Sequence, residues 1–393
     1  MDCHTPGLTV YPLYFKLPIA NQIIRQDMES AQADFQMTRN QLSGKEPFST
    51  LQMAKMEKVL DEGSMPPARY TFMHWDAIIP RSIKKQLLSW LKLHNPSSGI
   101  AAIPVDNPFA PDKQMVELGK RLFADKQLSA DGTIACASCH SLNKGGTDRS
   151  KVSRGIHAQS GPINAPTVFN AAFNFVQFWD GRAADLQEQA AGPVNNPKEM
   201  GSNWSLVISR LKKEPSYVRA FQSAFNGAIT DATICSAIAS YEKTLLTPNS
   251  RFDKFLDGDK TKLSADEQSG YQLFTSKGCA SCHTGFNLGG LSFEKMGQEQ
   301  DYFAWRGSSS EADNGRFNVT HKESDRHKFK VPTLRNIALT YPYFHDGSTS
   351  DLKTAVRTMS RFQLGWKATD KECQQIAEFL KSQTGCLNGQ QLK

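Results

Sequence analysis

Gly119-Lys120-Arg121-Leu122-Phe123 followed by Cys136-Ala137-Ser138-Cys139-His140, and Gly270-Tyr271-Gln272-Leu273-Phe274 followed by Cys279-Ala280-Ser281-Cys282-His283, are two copies of one pattern. In each copy two cysteines stand at C-x-x-C spacing with a histidine immediately after them. Thiols so spaced can form thioethers to the two vinyl groups of one haem, and the adjacent imidazole supplies an axial ligand to its iron. A structural zinc site pairs one C-x-x-C with a second or with two histidines, whereas here each pair carries its own histidine. The spacing predicts two covalently bound haems c, one on Cys136, Cys139 and His140, the other on Cys279, Cys282 and His283.

A helix with glycine and an aromatic four apart, then C-x-x-C-H, then a long loop, resembles the start of a small cytochrome c domain. The glycine lets a second helix come close, and the aromatic covers the haem edge. Helical patterns recur at 231–245 and 370–383, where each domain needs a closing helix, and strand-like alternation is scarce. The expected fold class is mainly α: tandem cytochrome c-like domains with long haem-wrapping loops, preceded by a small α-helical haem-binding domain. The expected boundaries are 1–93 for that first domain, 94–112 for a linker, and 113–250 and 251–393 for the two cytochrome c-like domains. The first domain shows helix-like stretches near 19–39 and 81–93, with a Met65-Pro66-Pro67 break between them.

The net charge of +7 comes without any Lys/Arg run, so it reads as solubility and gives nucleic-acid binding no support. No stretch reaches the roughly 18 unbroken apolar residues of a membrane span. The first residues have neither a basic region nor an apolar run of the kind that opens an export signal. Yet Cys3-His4 is the tail of a third C-x-x-C-H whose first cysteine would precede Met1. The expectation is a truncated start, with the native chain continuing through that cysteine to an export signal or membrane anchor. Cys235 reads as core, Cys373 and Cys386 as either a disulfide or free thiols, and His321 and His327 receive no role.

Further blocks exceed what an electron carrier needs: Gly161-Pro162-Ile163-Asn164-Ala165-Pro166-Thr167, Gln177-Phe178-Trp179-Asp180-Gly181-Arg182, Glu188-Gln189-Ala190, Lys198-Glu199-Met200 and Tyr343-Phe344-His345-Asp346-Gly347. With them the chain resembles the dihaem cytochrome c peroxidases from about 113 to 385, and as a whole the trihaem quinol peroxidases. The resemblance implies reduction of hydrogen peroxide at a low-potential haem on His140. A high-potential haem on His283, with Met359 as second ligand, would store the electron, since His/Met ligation raises a haem potential. By the same resemblance His157 is the sixth ligand of the His140 haem in the resting state. Glu199 is the catalytic acid–base group, Gln189 its polar companion, and Trp179 the aromatic that passes electrons. Asn164, Thr340 and Pro342 would hold a calcium ion, and Cys3, His4 and Met65 a third haem in the full-length protein.

The electron donor implied is a quinol or a small cytochrome c. The implied location is the periplasm, with membrane association through the missing N-terminus, and family members are often homodimers. Two other functions compete. A MauG-type enzyme oxidises protein side chains on the same scaffold, but that family places Tyr where Met359 stands. A non-enzymatic electron-transfer cytochrome would have no reason to carry the Gln189/Glu199 pair.

Overall fold

Ser49 and Gln52 close a reciprocal capping box that starts helix α1 (Thr50–Glu62), and Gly63 ends it in the left-handed conformation. Helix α2 (Arg81–His94) packs on it through Met53, Leu60 and Leu91. The computed structural model describes residues 36–63, 77–94 and 99–393, with single positions at 21, 22, 24, 25, 28, 31, 65 and 71. The chain divides into two units, Met1–Pro96 and Ser97–Lys393. In the first unit, α2 matches the helix expected at 81–93, and α1 was not expected. Its Ser49/Gln52 and Gly63 signals stand in the sequence, but its apolar residues, Met53 and Met56 among them, are interspersed with lysines. The stretch 19–39 lies largely outside the described residues.

The second unit is mainly α and is built from two lobes of like design. Its first lobe holds α3 (Lys113–Phe123), α4 (Leu186–Asn195), α5 (Trp204–Lys212), α6 (Pro215–Phe225) and α7 (Asp231–Glu242). The second lobe holds α8 (Arg251–Leu256), α9 (Ala265–Ser276), α10 (Leu352–Phe362) and α11 (Asp370–Lys381). Two short strands, β1 (Phe293–Lys295) and β2 (Lys328–Lys330), pair antiparallel in the second lobe.

The two glycines of the opening pattern fix the central helix pair of each lobe. A Cβ on Gly119 of α3 would stand 1.9 Å from the Ala237 carbonyl oxygen of α7. A Cβ on Gly270 of α9 would stand 2.0 Å from that of Gln375 on α11. Side chains then interlock on either side of the crossing. Phe123 meets Tyr241 with ring centroids 5.4 Å apart, and Phe274 meets Phe379 at 5.3 Å. Capping boxes at Thr230, Ser264 and Thr369 start α7, α9 and α11 where the sequence places the polar residues.

The repeat runs further than the haem motifs. Pro166-Thr167…Asn170…Phe178-Trp179-Asp180-Gly181…Asp185-Leu186 aligns without a gap on Pro332-Thr333…Asn336…Phe344-His345-Asp346-Gly347…Asp351-Leu352. The backbone follows it: Asn170 and Asn336 have φ of 60° and 61°, and Phe178 and Phe344 of 65° and 70°. Asp185 and Asp351 each cap a helix, α4 and α10. Both asparagines donate to the hydroxyl of Thr247, which joins the two lobes. Residues 99–107 lie along this unit, with Ala101 O accepting from Arg335 and Ile103 N donating to Asp253.

Candidate haem sites

In the second lobe His283 is part-buried, and its Nδ1 lies 2.9 Å from the Leu288 carbonyl oxygen. That bond orients the ring and leaves Nε2 as the free donor, as in a metal-ligating histidine. Burial pushes the imidazole pKa down, so the ring is neutral and its lone pair available. Cys279, Cys282, His283 and Met359 all line one cavity, closed by Leu352, Val356 and Leu380. Met359 reaches it from α10.

In the first lobe Cys136–Cys139 form a single helical turn, held by Ala135 N donating to Ser138 Oγ at 3.0 Å. The His140 amide closes the turn on Cys136 O at 2.9 Å. The ring of His140 repeats the arrangement of His283. Nδ1 lies 3.3 Å from Gly146 O, and burial lowers the pKa. Gly146 takes a φ of +76°, and a Cβ there would come within 2.6 Å of Thr167 Oγ1. Paired free thiols and a part-buried imidazole with one nitrogen committed fit a haem c in each lobe.

Glu199 sits in the turn after α4. Desolvation raises its carboxyl pKa, against the opposing pull of the Arg182 guanidinium and of Asn196. Asn196 Nδ2 donates to Oε1 at 2.6 Å, which fixes the carboxyl and leaves Oε2 for other work. Glu199 is within electrostatic reach of the Cys139 thiol. The His157 loop is tied to the same turn. Ile156 N donates to Glu199 O at 2.8 Å, and a Cβ on Gly155 would stand 2.1 Å from Lys198 O. His157 itself is exposed, with φ 54°, and Ala158 follows at 56°. Gln189 lies part-buried on α4.

Trp179 stands between the lobes and lines the His283 cavity. Its Nε1 donates to Asn164 O at 2.9 Å, and its ring meets His345 edge-on, with centroids 6.3 Å apart. His345 Nε2 lies 2.7 Å from Asp313 Oδ1, and Asp313 also pairs with Arg306. Those partners hold the Asp313 carboxyl at about 2 in spite of its burial. Asn164, Thr340 and Pro342 line the same cavity as Trp179. Asn164 Nδ2 donates to the carbonyls of Ser150 and Lys151, so Oδ1 is the oxygen it has left for a cation. Such a set is neutral oxygen throughout, which suits calcium in kind but lacks the carboxylates of a strong site.

Cys3 and His4 lie outside the described residues, and Met65 is exposed. Cys373 and Cys386 are free thiols. Among the described residues no helix is long and apolar enough to cross a membrane. Sequence reasoning missed Arg182, Asn196 and the Arg306–Asp313–His345 chain. The first two adjoin motifs that were read, but their effect on Glu199 needs the turn that brings them together.

The profile of the di-haem cytochrome c peroxidase family matches residues 113–261, and that of a haem-binding domain matches 1–93. Cytochrome c peroxidase Ccp of Escherichia coli K12 is 42% identical, over 98% of this chain and 85% of its own length. Cytochrome c551 peroxidase of Nitrosomonas europaea is 46% identical, over 78% of this chain and 93% of its own. Among solved structures, a MauG-like protein associated with microbial copper homeostasis aligns at a TM-score of 0.64 and 28% identity. That alignment covers 72% of this chain and 92% of the other.

Proposed function

The chain belongs to the di-haem cytochrome c peroxidase family and is a haem enzyme that reduces hydrogen peroxide, and from that premise we propose that Glu199 is its acid–base group. The observation that carries this reading is a desolvated carboxyl, anchored through one oxygen, beside the Cys136–His140 attachment turn. When bound, the haems supply the iron that activates peroxide at His140 and the electron store at His283 and Met359.

The work of the protein is then proton handling. Glu199 Oε2 takes the proton from one peroxide oxygen and returns it to the other, so that the departing oxygen leaves as water. Two electrons and two protons complete the conversion of one peroxide to two waters. Desolvation raises the carboxyl pKa, which favours holding a proton, while Arg182 and Asn196 pull it the other way. Gln189 orients peroxide from α4. Trp179, whose indole N–H is pinned to Asn164, keeps a fixed aromatic bridge between the lobes. His157, on a loop bonded to the Glu199 turn, closes the His140 site when that loop moves.

The same reading extends to the surroundings. The two C-x-x-C-H motifs support covalent haem c, and with it a periplasmic location and a quinol or small cytochrome c as donor. Calcium sits at Asn164, Thr340 and Pro342, and Cys3, His4 and Met65 serve a third haem. A homodimer follows from family resemblance alone. Met359 on the His283 cavity favours the peroxidase over the MauG-type activity.

Glu199→Gln keeps the shape and removes the base. Turnover of peroxide by the half-reduced, haem-loaded variant is expected to fall by about 10²-fold or more, with haem content unchanged. Turnover within threefold of the parent protein would remove Glu199 from the mechanism.

A further inference from the structure

Lys330 ends β2 with its side chain in the interior, at 6% exposure. Its amide donates to Trp179 O at 2.8 Å. Among the described residues no hydrogen bond or ion pair reaches its ammonium group. Burial alone pushes that group down to about 8. An uncompensated buried cation is expensive, so a native fold that keeps one has an anion to meet it.

The side chain lines the cavity that holds Cys279, Cys282, His283 and Met359. Glu294 also lines it but is engaged by Gln298 and Lys328, and burial holds its carboxyl toward the neutral form. His345 is committed to Asp313. Among the described residues no group therefore meets the charge of Lys330, which leaves the contents of the cavity to do so.

The repeat sharpens the point. In the gap-free alignment of the lobes Lys330 falls on Asn164. The two residues sit at one backbone position, since Asn164 N donates to His345 O as Lys330 N donates to Trp179 O. The first lobe places a neutral amide there and the second a cation.

We infer that Lys330 Nζ is the counter-ion of a carboxylate carried into the cavity by the group bound at His283, that is, a haem propionate. This rests on the proposed haem at His283. A fixed positive charge there favours the reduced iron and adds to the difference in potential that His/Met ligation makes between the two sites. A unit charge about 10 Å from iron, at an effective dielectric near 20, shifts the ferric/ferrous equilibrium by roughly tenfold. For one electron that is about 59 mV.

Haem-loaded Lys330→Met tests it with two readouts. Haem count per chain comes first: a parent protein without haem at His283 overturns the premise and the inference with it. With both haems present, the His283 potential is expected to fall by the equivalent of about tenfold, and the urea midpoint of the loaded protein to fall as well. Lys330→Arg, which keeps the charge, is expected to hold the potential within about twofold. A Lys330→Met protein that is more stable than the parent, or one with an unmoved potential, overturns the pairing. Should Lys330→Met fail to accumulate, Lys330→Gln carries the same measurements.

Discussion

Gly270→Ala tests the close helix crossing on which the second lobe depends. The new Cβ would lie 2.0 Å from Gln375 O and 2.9 Å from Phe379 Cβ. A carbon–oxygen contact relaxes at about 3.4 Å, so α9 and α11 must part by roughly 1 Å or more. The obstacle is a helix carbonyl rather than the tip of a flexible side chain, and it cannot step aside. Parting the helices loosens Phe274, Ile376, Phe379 and Leu380, each buried to within a few per cent. A gap of that size forfeits about a quarter to a half of each dispersion contact. Alanine returns only about 1 kcal/mol of helix propensity. The net loss is on the order of 3 kcal/mol, at the upper end for overpacking. Urea denaturation of the haem-loaded protein measures it, with Gly132→Ala as a control that has open space and only a φ of +71° to pay for. Leu380 also lines the His283 cavity, so the visible spectrum of that haem should shift with the loss of stability. A Gly270→Ala protein within 1 kcal/mol of the parent would show that the crossing is not held by contact at this point.

Two further outcomes follow from buried groups and tight turns. Glu242 is enclosed on α7, its Oε2 has no hydrogen-bond partner, and burial raises its pKa from 4.5 to about 8. The unfolded chain releases this proton from about pH 4.5 while the folded chain keeps it to about 8, so stability is greatest below 4.5 and is lost as pH rises through that window. Glu242→Gln should therefore be nearly neutral at pH 4 and stabilising by several kcal/mol at pH 9, and equal effects at both pH values would contradict the burial. Gly155→Ala pushes the His157 loop off the Lys198 and Glu199 carbonyls; peroxide turnover is expected to fall by about tenfold or more with the His283 potential unchanged, and unchanged turnover would uncouple loop from turn.

The haem motifs, the closing helices and the mainly α class were legible because each rests on local pattern: fixed cysteine spacing, 3.6-residue periodicity, and glycine four before an aromatic. Helix α1 escaped because its capping signals were not weighed and its methionines blur the apolar stripe. The longer repeat escaped because its identical residues are scattered, with Pro166-Thr167, Asn170 and Phe178 separated by unlike ones. What it preserves is conformation, in paired left-handed Asn170/Asn336 and Phe178/Phe344, which periodicity does not register. Lys330 reads in sequence as one lysine among several in Lys328-Phe329-Lys330. Only burial separates it from Lys328, whose ammonium pairs with Asp325.

That longer repeat also gives a physical reason for two unlike sites on one scaffold. Helices α4 and α10 start from equivalent aspartates, Asp185 and Asp351, and run in register. Met359 of α10 then falls on Pro193 of α4, and Ala355, which lines the His283 cavity, falls on Gln189. A thioether can bind iron; a proline ring offers no donor atom. Helix α4 runs on through Pro193 to Asn195, and the chain then turns through Asn196 to Met200. In that turn Met200 N bonds Pro193 O and Glu199 N bonds Asn196 O, so Glu199 is carried back toward the attachment turn. On the proposed ligand set, the Met359/Pro193 difference leaves the His140 site without a thioether, and the turn that follows α4 carries Glu199. Restoring the donor, as Pro193→Met, should produce a low-spin His/Met spectrum at the His140 haem and abolish peroxide turnover even after half-reduction. A high-spin haem that still turns over peroxide would show that the two helices, although in register, do not present the same face to their cavities.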